Sequence, residues 1–196
     1  QVMLKSAGSK IVGIYSAAAR ISESWYFIPV AIVTSVFPAI IHARKTDIER
    51  YHKRLQNLYD LLVAISLPVA ILVSIFADQI IHTLYGNPYH GAGLLLSIHI
   101  WSGIFVFLGS ASSQFLLAEG FTLISFSRTA FGALVNVVLN LWLIPIYGAL
   151  GASIATLIAY ASSTFFILAI PHTRAQGVSM LKSLFLISII QKISKK

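Results

Sequence analysis

Apolar residues run almost unbroken from Val12 to Ile41, and four more runs follow: Leu58–Ile81, Ala92–Ala118, 123–147 with its apolar heart at Phe131–Tyr147, and Ala149–Ile170. A helix rises 1.5 Å per residue, so about 20 apolar residues cross a hydrocarbon core of about 30 Å. Each run meets that length. None shows the alternation that a membrane barrel strand requires, and all are too long for strands. The pattern predicts an all-α polytopic membrane protein with about five transmembrane helices. Residues 1–171 form the helical lobe and 172–196 a basic tail. Within that tail, Lys182, Ser183, Ser188, Gln191 and Lys192 interrupt the apolar positions from Val178 to Lys196. That predicts an amphipathic helix on the inner leaflet rather than a sixth span.

The segments between the runs alternate in charge. Residues 42–54 carry five Lys or Arg, 82–91 carry none, Arg128 marks the next connection, Pro145–Gly148 carries none, and 171–196 carries five. One reversal per crossing places the basic connections in the cytoplasm. Lys5 and Lys10, before the first run, then stand outside as an exception. His42, His52, His82, His90 and His172 all fall beside connections, as solvated side chains would.

Composition closes off other classes. Hydrophobic residues make up 57% and charged ones 10%, with mean hydropathy +0.84. Soluble domains carry roughly 25% charge. The net charge of +8 therefore has no soluble body to serve as a nucleic-acid domain, and it reads as membrane orientation. Cysteine is absent, which excludes disulfides and thiolate metal sites. No nucleophile elbow, P-loop or zincin motif occurs, and no histidine pair has metal-ligand spacing. Neither an enzyme nor a cofactor nor a metal is expected. The chain begins with Gln and has no signal-peptide pattern, as an internal piece of a longer protein would.

The candidate chemistry is the polar minority inside the runs. Arg20 and Glu23 share a helix face and can pair. Counted back from Ile41, they fall near the outer boundary, where arginine could grip a phosphate through its planar fork. Tyr15, Trp25 and Tyr26 supply aromatic surface for sugar rings or for interface anchoring. Asn136 and Asn140, one turn apart, suit interhelical hydrogen bonding. Ser110, Ser112, Ser113 and Gln114 form a polar patch; His99 reads as a hydrogen-bonded packing residue, and Asp60 and Asp78 as headgroup-level groups. Gly148, Gly151, Ala152, Ala155 and Ala159 form a small-residue stripe for close helix packing. Pro29 and Pro68 mark expected kinks.

VGIYSAAARISESWYFIPVAIVTSVFPAII, ALVNVVLN (Ala133–Asn140) and LIPIYGALGASIATLIAY (Leu143–Tyr160), with LYGNPYHGAG from Leu84, resemble the O-antigen and polysaccharide flippases. These belong to the multidrug/oligosaccharidyl-lipid/polysaccharide exporter superfamily. The resemblance implies a two-lobe flippase, of which this chain is a partial second lobe. It further implies a missing N-terminal lobe of the same protein, membrane lipids around it and polysaccharide polymerase machinery as a partner. The implied cargo is undecaprenyl-pyrophosphate-linked oligosaccharide, exported by alternating access across a bacterial inner membrane for O-antigen and lipopolysaccharide biosynthesis. Tyr15, Arg20, Glu23, Tyr26, Asn136 and Asn140 become substrate-binding candidates, with Arg20 near the pyrophosphate or acidic sugars and Glu23 holding it. The alternatives are a lipid II flippase, a cation-coupled drug exporter, or a non-transporting truncated remnant.

Overall fold

The computed structural model describes residues 2–188, with side chains from Gly8 onward. The expectations for Lys5, and for the tail beyond Ser188 with Gln191 and Lys192, lie outside them. Among the described residues there is no strand. Five helical segments are long and apolar enough to cross a membrane. The first pairs α1 (Val2–Glu23) with α2 (Phe27–Thr46). The second is α3 (Ile48–Ile75), followed by the short α4 (Ala77–Tyr85). The third pairs α5 (Ala92–His99) with α6 (Ser102–Ala118). The fourth is α7 (Thr122–Tyr147); the fifth is α8 (Ala149–Phe165), extended by a 3-10 turn at Phe166–Ala169. The tail contributes α9 (Arg174–Leu184).

Two runs expected to be continuous are broken. The first breaks at residues 24–26, where turn bonds run from Tyr26 N–H to Glu23 O and from Ile28 N–H to Trp25 O. Pro29 then sits in the first turn of α2, where its missing N–H costs nothing. The kink expected at Pro29 is thus a break three residues earlier. The third run breaks at Ile100–Trp101. Pro68, by contrast, lies inside an uninterrupted α3.

The basic connection at residues 42–54 is not a loop. It is the tips of α2 and α3, joined at Asp47, whose Oδ1 accepts the Arg50 N–H at 3.0 Å as an N-cap. The second span therefore begins ten residues before Leu58, at Ile48. Its first turns are amphipathic: Tyr51 and Leu55 are buried while Arg50, His52 and Lys53 are exposed. Apolar run length alone misses such a start. At this basic end Arg44 pairs with Glu119 at 2.6 Å, and the Tyr51 hydroxyl donates to the same carboxylate at 2.8 Å. These contacts tie the α2–α3 junction to the end of α6.

The core lies where α3 meets α6, with Tyr59, Leu62, Val63, Phe107, Leu108 and Ala111 fully buried. The α7–α8 hairpin turns at Gly148, whose φ of 58° suits glycine. A Cβ on Gly151 would stand 2.4 Å from Leu143 O, and one on Gly132 would stand 2.6 Å from Ser163 Cβ. The small-residue stripe thus does what its pattern suggested and lets the two backbones approach. The opposite face of α7 exposes Leu134, Val137, Val138, Leu141 and Trp142, as a lipid-facing helix does.

Two charges expected at boundaries are inside the protein. Asp60 is buried, because α9 docks on α3 and encloses it. The Ser183 hydroxyl donates to Asp60 Oδ1 at 2.6 Å, Ser188 donates to Oδ2, and Gln176 donates to Tyr59 Oη. Of the polar residues that interrupt the tail's apolar pattern, Ser183 and Ser188 therefore face the protein, while Lys182 is exposed. Val178, Phe185 and Ile187 face outward. Arg128, read as part of a connection, is only 6% exposed and lies within α7, about 9 Å from its start. Asp78 and the five connection histidines are exposed, and for the histidines that matches the sequence reading.

Candidate functional site

The break in the first span turns a set of polar side chains toward α5, α6 and α8. Tyr26 Oη lies 2.9 Å from Ser102 Oγ, and Ser102 Oγ donates to His99 O at 2.6 Å. His99 is fully buried, with Nδ1 2.9 Å from Ser22 Oγ and Nε2 without a partner. Its packing role is thus as expected. Tyr15 meets the His99 ring edge-on at 6.0 Å and hydrogen-bonds Thr156 Oγ1 at 3.3 Å. Tyr160 meets Tyr26 edge-on at 6.4 Å. Glu23 is close enough to act electrostatically on the phenols of Tyr15, Tyr26 and Tyr160. Trp25 packs on Phe107 and against Gly103, where a Cβ would come within 2.8 Å of the indole.

Tyr160 also joins this cluster to a groove of about 260 Å³ between α7 and α8, lined by Thr129, Gly132, Asn136 and Ser163 among others. The two asparagines bond each other along α7, Asn140 Nδ2 to Asn136 Oδ1 at 2.9 Å, and not a neighbouring helix. The interhelical role expected of them is absent among the described contacts. Tyr160 stands about 16 Å from Ala149, the first residue of α8. That is about half the length that crosses a core of about 30 Å.

A first span of 39 residues would be about 58 Å long if straight, longer than a hydrocarbon core of about 30 Å. The expected Arg20–Glu23 pair is not formed. Among the described residues the ion pair is Arg44–Glu119, and Arg20 and Glu23 are both exposed. Glu23 is the last residue of α1, where the chain leaves the helix, so the regular one-turn geometry does not hold. Of the six candidates, the structure gathers Tyr15, Glu23, Tyr26 and Asn136 around Tyr160; Asn140 adjoins them through Asn136, and Arg20 has no partner there. Sequence reading missed Ser22, Ser102, Thr156 and Tyr160. The one-turn spacing of Thr156 and Tyr160 in an apolar run was a usable signal; the serines gave none.

The profile of a family described as polysaccharide biosynthesis protein matches residues 2–93. A Haloferax volcanii protein named "Probable flippase AglR" is 27% identical over 155 residues, 77% of this chain and 32% of that protein. This chain is thus similar to proteins of polysaccharide biosynthesis and to a probable flippase. A second Haloferax volcanii relative, "Probable low-salt glycan biosynthesis flippase Agl15", is 24% identical over 158 residues, 78% of this chain and 33% of its own. An uncharacterized membrane protein of Methanocaldococcus jannaschii is 32% identical over 103 residues, 53% of this chain and 20% of its own. The chain thus spans about one third of the length of the flippase relatives. No solved structure matches it.

Proposed function

We propose that this chain forms part of a flippase that carries a lipid-linked glycan across a membrane. One observation carries the reading: a hydroxyl- and phenol-lined cluster with an exposed carboxylate lies between spans of a helical lobe otherwise faced with apolar residues. Polar groups inside a membrane are expensive and mark pathways. Tyrosine faces stack on sugar rings while their hydroxyls, with Asn136, exchange hydrogen bonds with sugar hydroxyls. No covalent chemistry is needed, since the cargo only moves. Arg20 and Glu23, both exposed, are the charged groups at the edge of this surface. In this reading Arg20 meets the anionic part of the cargo, and Glu23 orders the phenols.

The basic end, with residues 42–54 and Arg174, is cytoplasmic, so the cargo moves from the leaflet at that end to the other. Both flippase relatives are archaeal, so their support reaches lipid-linked glycan as a class. An undecaprenyl-pyrophosphate-linked O-antigen unit in a bacterial inner membrane is the narrower form of the same proposal. The test is replacement of Arg20 by Ala in cells that depend on this protein for a surface glycan. Loss of the glycan at unchanged protein level is expected. Normal glycan from Arg20→Ala, together with drug sensitivity that follows the variant, would transfer the chain to the drug exporters.

A further inference from the structure

Arg128 has no place in the cluster above, yet it is a buried cation inside a membrane helix. Its Nη2 donates to Ser113 Oγ at 2.6 Å and to Gly109 O at 3.3 Å. Nε and Nη1 are buried without any partner. Among the described residues no carboxylate pairs with it. Its backbone is held by α8, where Ser163 Oγ donates to Arg128 O at 3.1 Å. Gly109 leaves open the space beside Nη1. An unpaired charge this deep is retained for a reason other than packing, because two hydrogen-bond donors stay unsatisfied away from water.

Ser113 is where this guanidinium meets an opening. With Ser110, Gln114 and Thr34, it lines a polar groove of about 230 Å³ between α2 and α6. The groove lies on the half of the bundle near the basic end, since Ser113 and Gln114 fall in the last turns of α6 before Glu119. We propose that Arg128 is a receptor for the phosphate of a membrane lipid, reached through this groove. Nη2 lies between the two free donors on the guanidinium fork. A phosphate taking the place of Ser113 Oγ would set one oxygen against Nη2 and a second against one free donor, the bidentate grip that arginine makes with oxyanions. The Ser113 hydroxyl and the Gln114 amide serve the remaining oxygens; the Ser110 and Thr34 hydroxyls already donate to Val106 O and Val30 O. A carrier lipid bearing phosphate and an anionic glycerophospholipid present the same group. The site rests on the membrane placement of the bundle alone, and it stands or falls separately from transport.

The protein is purified in dodecyl maltoside, which carries no phosphate, and binding of polyprenyl phosphate, polyprenol and phosphatidylglycerol is measured by native mass spectrometry. Retention of one phosphate lipid per chain, and none of polyprenol, is expected. Arg128→Gln should weaken the phosphate lipid at least tenfold, with Arg128→Lys between the two. Tighter binding of polyprenyl phosphate than of phosphatidylglycerol identifies the carrier as occupant, and equal binding identifies the headgroup in general; both support the site. If Arg128→Gln does not fold, Ser113→Leu decides, because it plugs the groove with Arg128 intact and should also abolish binding. Equal binding of polyprenol and polyprenyl phosphate overturns the proposal, as does wild-type affinity in folded Arg128→Gln or Ser113→Leu.

Discussion

Tyr26 carries the most at the scale of single residues. It stands at the helix break, reaches Ser102 with its hydroxyl and Tyr160 with its ring, and so joins three spans. Tyr26→Phe keeps the ring contact and removes one membrane hydrogen bond, a loss of about 0.6–1 kcal/mol. The expected outcome is a thermal unfolding temperature lowered by a few degrees, with transport reduced more than stability. Equal transport in Tyr26→Phe and wild type would remove the hydroxyl from the pathway. Glu23 gives a sharper contrast, because it is exposed and holds no ion pair among the described residues. Glu23→Gln should leave stability unchanged within about 0.5 kcal/mol, as surface changes do, while lowering transport. A variant that is less stable yet fully active would make Glu23 a structural group.

Elements show where the sequence was legible and where it was not. The spans at Ala92–Ala118 and 123–147 stand almost at their expected bounds, because turn residues and a run of lipid-compatible length define both ends. The start of α3 was hidden because its first turns bury only Tyr51 and Leu55 under a coat of charge, which hydropathy scores as a loop. Breaks at residues 24–26 and 100–101 were hidden because aromatic residues are equally apolar in a turn and in a helix. In the site, the tyrosines of the first span were visible, whereas Arg128 was misplaced because a single arginine near a connection looks the same in sequence whether buried or not.

Two predictions belong at this scale. Gly132→Leu should overpack the α7–α8 contact, where a Cβ already falls 2.6 Å from Ser163, and cost about 1–3 kcal/mol by thermal unfolding. Asp60→Ala should leave the Ser183 and Ser188 hydroxyls without their buried acceptor and free α9 from α3. Hydrogen exchange should then rise in Arg174–Leu184 before it rises in α6; uniform protection in that variant would contradict the docking.

For the whole molecule, the charge alternation sets how the bundle sits. The chain has no cysteine of its own, so one introduced thiol reports one position without interference from this chain. His90→Cys and Lys53→Cys lie at opposite ends of the bundle and are both exposed. Impermeant maleimide should label the first in intact cells and the second only after permeabilisation. Labelling of both from one side would contradict the five-crossing arrangement. In the proposed function the polar cluster lies on the glycan's path, with the lipid-compatible side chains of α7 facing away.

The most direct measurement uses the full protein containing this chain, reconstituted in liposomes with a fluorescent lipid-linked oligosaccharide. Quenching from outside counts the molecules that have crossed. Wild type should expose the inner pool within minutes, Arg20→Ala and Glu23→Gln should slow it at least tenfold, and a drug-like cation should not cross. Oligosaccharide crossing at the protein-free rate, or at wild-type rate in both variants, would contradict the account.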